Sequence, residues 1–256
     1  PPPIRSTLIH SLHRWDNAMT LVIAHRGASA YAPENTLKAF ALAADQGADM
    51  CELDVIATSD GALAVFHDDT TGRWESHDCD VRQVSMAHMQ ALDIGGETVP
   101  HLAEVLDLAR ARGMQLNVEL KHAGVARQVL DAIRDARMHE AVLISSFVAQ
   151  ALAEVRACDA TIRTAYLMGT DTYNPLVRLR EAYPMPALRR YGCQAWHPYY
   201  KLPLIDWAIT QTLRAGFEVN VWTVNAPTDM QHLCALGVTG IITDKPDVLC
   251  AILGRG

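Results

Sequence analysis

The chain has 256 residues, half of them hydrophobic, a net charge of −7 and six cysteines. That apolar content supplies a sizeable core and excludes a disordered or fibrous protein, and the mixed charges contain no Lys/Arg tract able to track a phosphate backbone, which argues against nucleic acid as a partner. Cys51, Cys79, Cys158, Cys193, Cys234 and Cys250 form no CxxC pair and several lie in apolar runs, a pattern expected of reduced thiols in a cytoplasmic protein.

Residues 1–20, PPPIRSTLIHSLHRWDNAMT, lack the apolar core and cleavage site of a signal peptide. They read as an N-terminal extension, with Met19 as an alternative start. No apolar run approaches the ~20 residues that a membrane-spanning helix needs. From residue 21 onward two periodicities alternate. Strand-like runs fall at 21–26, 50–57, 115–121, 141–147, 163–168, 193–197, 218–225 and 240–244, with helical patterns between them. The clearest helix is 101–113, where Leu102, Val105, Leu106 and Ala109 share a face and Gly113 is a stop. Val125, Val129, Ala132 and Ile133 repeat the spacing, and Gly216 and Gly237 close later helices just before strands. Eight strands separated by helices predict a parallel sheet, closed at this length into a (β/α)8 TIM barrel over 21–256 as a single domain. An open doubly wound sheet is the structural alternative.

A ninth run, LAVFHD at 63–68, follows the 50–57 strand after only the short turn around Ser59, Asp60 and Gly61. No parallel crossover fits so few residues, so the run is expected to form an antiparallel hairpin. With Asp60 and Gly61 as the two central residues, Asp54 falls opposite His67, on the face that also carries Glu52. Residues 69–100 then form a long irregular insertion, broken by Gly72, Gly95, Gly96 and Pro100, near the end where barrel enzymes keep their sites.

Chemistry-bearing residues recur at strand ends: His25 and Arg26, Glu52 and Asp54, Glu119 and Lys121. In a barrel these ends converge, and period-two alternation gives Asn117, Glu119 and Lys121 a shared face. Three convergent carboxylates repel one another unless a cation lies between them, and an all-oxygen set suits Mg²⁺ or Ca²⁺ better than zinc, since no His/Cys ligand spacing accompanies them. Taken singly, each residue has a plainer reading. Glu119 could be a surface ion-pair partner, His67 a hairpin cap, and Lys121 a Schiff-base lysine or a surface residue. Joint placement is what favours a site.

The segments HRGASAYAPENTLKAFALAADQGADMCELDV, TSDGALAVFHDDT, NVELK, VWTVN and GIITDKP closely resemble the glycerophosphodiester phosphodiesterase family over about 21–248. The resemblance implies a TIM barrel that hydrolyses glycerophosphodiesters to sn-glycerol 3-phosphate and an alcohol with one divalent metal. It implies His25 and His67 as the catalytic histidines and Glu52, Asp54 and Glu119 as metal carboxylates. Arg26 and Lys121 fall on phosphate-contacting positions, and Trp222 on an aromatic beside the substrate.

The chemistry asks for these residue types. An anionic diester needs local positive charge, the nucleophile must lose a proton and the leaving alkoxide must gain one. Two imidazoles do this near neutral pH, with His25 read as base and His67 as acid. Gly27 is expected to let the backbone approach the phosphate. Asn220, Trp222 and Val224 alternate to one face, so Trp222 can wall the glycerol carbons or simply fill the core. His197 is either a substrate contact or a packed histidine. Glu34 favours a helix start after Pro33, and Asn35 can orient a catalytic group. HDDTTGRWESHDCD departs from the family's usual arginine-bearing continuation, leaving Arg73, Trp74 and His77 to shape the alcohol pocket. The expected partner is a small glycerophosphodiester. The alternatives are a lysophospholipase D or phospholipase-type barrel acting on a lipid, which would want an apolar rim that polar 69–100 lacks, and a non-catalytic barrel that only binds phosphodiesters.

Overall fold

The computed structural model describes residues 20–169, 172 and 174–255. Apart from Thr20, the expected N-terminal extension lies outside the described residues. Among the described residues nine strands occur in chain order: β1 (Leu21–His25), β2 (Met50–Ala57), β3 (Leu63–Val65), β4 (Gln115–Leu120), β5 (Val142–Ser146), β6 (Arg163–Met168), β7 (Ala195–Pro198), β8 (Glu218–Val221) and β9 (Gly240–Thr243). Eight of them run parallel in the order β1-β9-β8-β7-β6-β5-β4-β2, and β2 pairs back to β1 through Ile23↔Met50 and His25↔Glu52. That last pairing closes the ring and rules out the open sheet.

Among the described residues ten helices surround the strands: α1 (Leu37–Asp45), α2 (Met86–Gln90), α3 (Leu102–Arg112), α4 (Ala126–Asp135), α5 (Ala149–Cys158), α6 (Pro175–Ala182), α7 (Met185–Tyr191), α8 (Ile205–Arg214), α9 (Pro227–Leu236) and α10 (Pro246–Ile252). Leu102, Val105, Leu106 and Ala109 of α3 are buried, and Gly113 ends that helix at φ +64°, a left-handed cap that glycine adopts without Cβ strain. The core is split by the barrel wall. Outward-facing Ala24, Cys51, Leu53, Val118 and Ile144 meet α1 and α3–α5 on one side, while Val22, Tyr166, Trp196, Val219 and Ile241 meet α7–α10 on the other. Inside the ring, Leu21, Ile23, Met50 and Ile242 pack together, and a second patch joins Leu143, Ala165 and Ala195. No helix among the described residues is long and apolar enough to cross a membrane, and all six cysteines are free.

The hairpin forms with a register one residue from the expected one. Val55 faces Val65, Ile56 faces Ala64 and Ala57 faces Leu63. Thr58 and Ala62 also pair, Thr58 N donating to Ala62 O at 2.9 Å. The turn therefore has three residues, Ser59, Asp60 and Gly61, with Gly61 at φ +78° in the left-handed position that a three-residue hairpin loop requires. Asp54 thus lies opposite Phe66, whose N–H bonds Asp54 O at 3.0 Å, and not opposite His67.

The insertion is also more ordered than its composition suggests. Val81, Met86, Met89, Leu92, Ile94 and Val99 form an apolar cluster on Ile56, Ala64 and Phe66 of the hairpin. Its regular elements are the single 3-10 turn Val81–Gln83 and five-residue α2, too short for a 3.6-residue repeat to appear in the sequence.

Candidate active site

The strand ends converge as alternation requires. A cavity of about 240 Å³ at the C-terminal mouth is lined by His25, Arg26, Glu52, His67, Asn117, Glu119, Lys121, Phe147, Leu167, Trp222 and Ile242. Glu52, Asp54 and Glu119 are buried, and one oxygen from each lies within 4.8 Å of the others. This is the set expected from the sequence. Burial together with the Asp54 and Glu119 charges pushes the Glu52 carboxyl well up, and burial with the Asp54 charge raises Glu119 to about 7. Asp54 moves the other way. Burial opposes its ionisation, but Arg26, Lys121, His67 and the Asn35 amide outweigh it and hold its carboxyl below the usual range. A compact, buried, all-oxygen trio in which burial and neighbouring negative charge raise two of the three carboxyls is the donor chemistry a hard divalent cation fits, so these three residues could hold one.

Both cations bond the trio. Lys121 Nζ is 3.1 Å from Glu119 Oε1 and 3.3 Å from Asp54 Oδ1. Arg26 Nε is 3.3 Å from Asp54 Oδ2, and the Arg26 backbone N–H donates to Glu52 Oε2 at 3.1 Å. Arg26 has φ +55°, which turns the chain sharply after β1. Gly27 at φ +82° continues that turn, and its missing side chain makes room for a helix. A Cβ there would lie 2.5 Å from the carbonyl carbon of Ala39 on α1, whose oxygen accepts from Ala28 N at 3.0 Å.

Each histidine at the mouth has its own carboxylate. His25 Nδ1 is 2.7 Å from Asp244 Oδ1, and Asn225 Nδ2 donates to Asp244 Oδ2 at 2.5 Å. Ser29 Oγ lies 2.9 Å from Asp244 Oδ1, while Asp244 N donates to Asn225 Oδ1 at 2.9 Å. Burial opposes ionisation of Asp244, yet His25, Asn225 and Ser29 together hold it at about 2. His67 Nδ1 is 2.7 Å from Asp68 Oδ1 of the next residue, whose other oxygen is 2.8 Å from Arg73 Nε. Arg73 also reaches Glu34, which pairs with Arg26 Nη1 at 3.0 Å, so a chain of charges runs from Arg26 through the insertion to His67. Burial, then the Arg26 and Lys121 charges, outweigh Asp54 and Asp68 and lower the His67 pKa from its ordinary value.

His67 reaches the cavity for a different reason from the one expected. The pairing ends at Val65, and the chain leaves the sheet before strand parity can assign His67 a face. Glu34 does not serve a helix N-terminus: Thr36 caps α1 by accepting from Ala39 N at 3.2 Å, and Glu34 pairs with Arg26 and Arg73. Asn35 does orient a site group, its Nδ2 donating to Asp54 Oδ2 at 2.9 Å. His197 is fully buried beneath the cavity, 2.9 Å from Asn220 Nδ2, and burial then the Arg163 charge lower it to about 3, so it is a packed neutral histidine. Trp222 lines the cavity edge-on to Phe147, centroids 5.5 Å apart, and donates from Nε1 to His197 O at 2.9 Å. Val224 leaves that face and joins the outer core. Trp74 stacks under Arg73 at 4.6 Å, and His77 does not line the cavity.

Asp244, Asn225 and Ser29 escaped the sequence reading, although Asp244 ends the GIITD run where other strands carried site residues. Phe147 and Leu167 follow the same strand-end rule, and only their apolar character hid them. Asn117, buried with both amide atoms unpaired, lies at the cavity floor.

Fold and site together define a class: a TIM barrel whose mouth joins two carboxylate-oriented histidines to a buried acidic trio and two cations. Residues 25–248 match the glycerophosphoryl diester phosphodiesterase family, and the chain belongs to it. A glycerophosphodiester phosphodiesterase from Caldanaerobacter subterraneus subsp. tengcongensis is 32% identical over 252 residues, covering 93% of this chain and 99% of that protein. A crystal structure from Silicibacter pomeroyi, provisionally named for the same activity, superposes with a TM-score of 0.83 at 30% identity, covering 92% of this chain and 93% of its own. An Oleispira antarctica phosphodiesterase in complex with the product sn-glycerol-3-phosphate has a TM-score of 0.79 at 27% identity, covering 92% of this chain and 97% of its own.

Proposed function

We propose that residues 21–256 act as one catalytic domain that hydrolyses small glycerophosphodiesters to sn-glycerol 3-phosphate and an alcohol in the cytoplasm, with one Mg²⁺ or Ca²⁺ at Glu52, Asp54 and Glu119. The observation that carries this reading is the pair of carboxylate-oriented histidines, His25 and His67, lining one cavity with Glu52 and Glu119 of the buried acidic trio. A bare binding barrel needs no proton-transfer pair. The cation supplies charge stabilisation to the phosphoryl oxygens when bound.

The chain's own residues supply the rest. With Nδ1 of His25 donating to Asp244, Nε2 is the free lone pair and takes the proton of the attacking oxygen. His67, held by Asp68, returns a proton to the leaving alkoxide. Arg26 and Lys121, whose charges lower the His67 pKa, turn that charge to a bound diester anion, and this favours the imidazolium the acid step needs. Phe147, Leu167 and Trp222 form the apolar wall for the glycerol carbons, and the unpaired Asn117 amide is available to a glycerol hydroxyl.

The test is release of glycerol 3-phosphate from glycerophosphocholine with and without EDTA. In folded protein, chelation and Glu119→Ala should each abolish turnover, and His67→Ala should lower it by ~10² to 10⁴. Metal-independent turnover would remove the carboxylate trio from the reaction, and inactivity on every glycerophosphodiester would favour the binding barrel.

A lipid phosphodiester is the second reading, favoured by Leu176, Leu179, Leu204 and Trp207, exposed on α6, α8 and the loop before α8. The apolar surface that 69–100 lacks is available on those elements. Faster turnover of lysophosphatidylcholine vesicles than of glycerophosphocholine would select this reading.

A further inference from the structure

Outside the cavity, three different metal-binding side chains meet within the insertion. Glu75, Cys79 and His88 are all half-buried, and one donor atom from each lies within 4.8 Å of the others. His88 Nε2 is 2.8 Å from Glu75 Oε1, while Cys79 Sγ has no hydrogen-bond partner among the described residues. These groups come from two separate pieces of chain, the 71–79 turn and α2, which sequence spacing does not relate.

The turn is preorganised. Thr71 is fully buried, and its Oγ1 accepts from Cys79 N at 3.0 Å and lies 3.1 Å from His77 O. Thr71 N donates to Cys79 O at 2.9 Å and Thr71 O accepts from Glu75 N at 3.3 Å. Glu75 from the middle and Cys79 from the end of one clamped loop thus come together with His88, whose helix begins at the Ser85 cap.

We propose that Glu75, Cys79 and His88 form a second metal site, of zinc type, that staples the insertion. Carboxylate oxygen, thiolate sulfur and imidazole nitrogen are a zinc donor set, and in a tetrahedron at zinc bond lengths the donor atoms lie roughly 3.3 to 3.7 Å apart. To reach those separations the Glu75–His88 pair opens from 2.8 Å while the cluster, now within 4.8 Å, adjusts around the ion, with water as the fourth ligand. Binding displaces the thiol proton to solvent and involves no redox change. The two sites differ in hardness: all-oxygen at the mouth, sulfur and nitrogen in the insertion. Occupancy of the second would fix the turn that carries Arg73, which holds Asp68 beside His67.

Cobalt reports on the two sites separately, because only a thiolate gives a sulfur-to-Co²⁺ charge-transfer band. The metal-stripped full chain titrated with Co²⁺ should develop that band with one equivalent, and Zn²⁺ should displace it. Cys79→Ser should abolish the band and His88→Ala should weaken it, whereas Glu119→Gln should leave it intact. Zn²⁺ should also raise the thermal midpoint of the wild type but not of Cys79→Ser. Absence of the band, or its persistence in Cys79→Ser, overturns the proposal and leaves Glu75 and His88 as a plain ion pair. Should Cys79→Ser fail to fold, protection of Cys79 from alkylation by Zn²⁺ in the wild type decides the matter: unchanged labelling overturns the site.

Discussion

The two histidines at the mouth are held by different kinds of structure. His25 ends a barrel strand, and its carboxylate partner Asp244 directly follows the neighbouring strand β9, with Asn225 and Ser29 fixing both oxygens. His67 lies beyond the hairpin, and its partner is the next residue, steadied by Arg73 from the insertion. The first imidazole is set by the closed ring and the second by an attached arm. A barrel frame therefore supplies one half of the proposed acid-base pair with little freedom, while the other half is held by the insertion.

The largest expected effect tests the division of roles. His25→Ala and His67→Ala should each lower turnover by ~10² to 10⁴. A diester with a p-nitrophenolate leaving group needs no protonation, so it should restore the His67 variant and not the His25 variant. Rescue of the opposite variant would exchange the roles of acid and base.

Next comes the rigidity of the two supports. Gly27→Ala combines a left-handed φ with a Cβ 2.5 Å from the α1 backbone, and should destabilise the fold by about 3 kcal/mol. Gly61→Ala in the hairpin turn meets no atom within 4 Å and should cost only the conformational part, about 1 kcal/mol. Urea unfolding of the two variants measures the difference, and equal losses would refute the contrast.

Third, Asp244→Asn should reduce kcat by about 10- to 100-fold, as loss of an orienting carboxylate does elsewhere, and Asp68→Asn by less. Because Asp68 raises the His67 pKa, Asp68→Asn should also move the alkaline limb of the kcat–pH profile to lower pH. A limb that stays in place would separate His67 from the acid step.

The smallest effect is on stability against pH. Asp244 is held at about 2, below the ordinary aspartate value, so its contribution is complete above that ordinary value and disappears as pH falls through 2. The stability gap between wild type and Asp244→Asn should be about 1 to 2 kcal/mol at pH 7 and close toward pH 2. A gap that widens on acidification would contradict the Asp244–His25 pairing.

Much of the site was legible because it follows strand alternation. Glu52, Asp54, Asn117, Glu119 and Lys121 lie on strands or at their ends, where parity alone decides which side chains enter the barrel. His67 was found through the wrong register: one extra turn residue removes it from the face of Asp54, and the chain's departure from the sheet after Val65 returns it to the cavity. Local spacing allows Glu34 to serve a helix end, whereas Arg26 and Arg73 claim it across the fold. The order within 69–100 was hidden because its helices are too short to show a period and its apolar residues are organised by the hairpin they cover.

The sequence by itself determined the alternation of strands and helices, the chemistry concentrated at strand ends and the family motif, since each depends on local periodicity and residue type. Only the tertiary structure decided which carboxylate orients which histidine, that Gly27 serves α1, and that Glu75, Cys79 and His88 meet. Those depend on contacts between segments distant in the chain, and no local pattern encodes which of the many possible partners the closed barrel will bring within hydrogen-bonding distance.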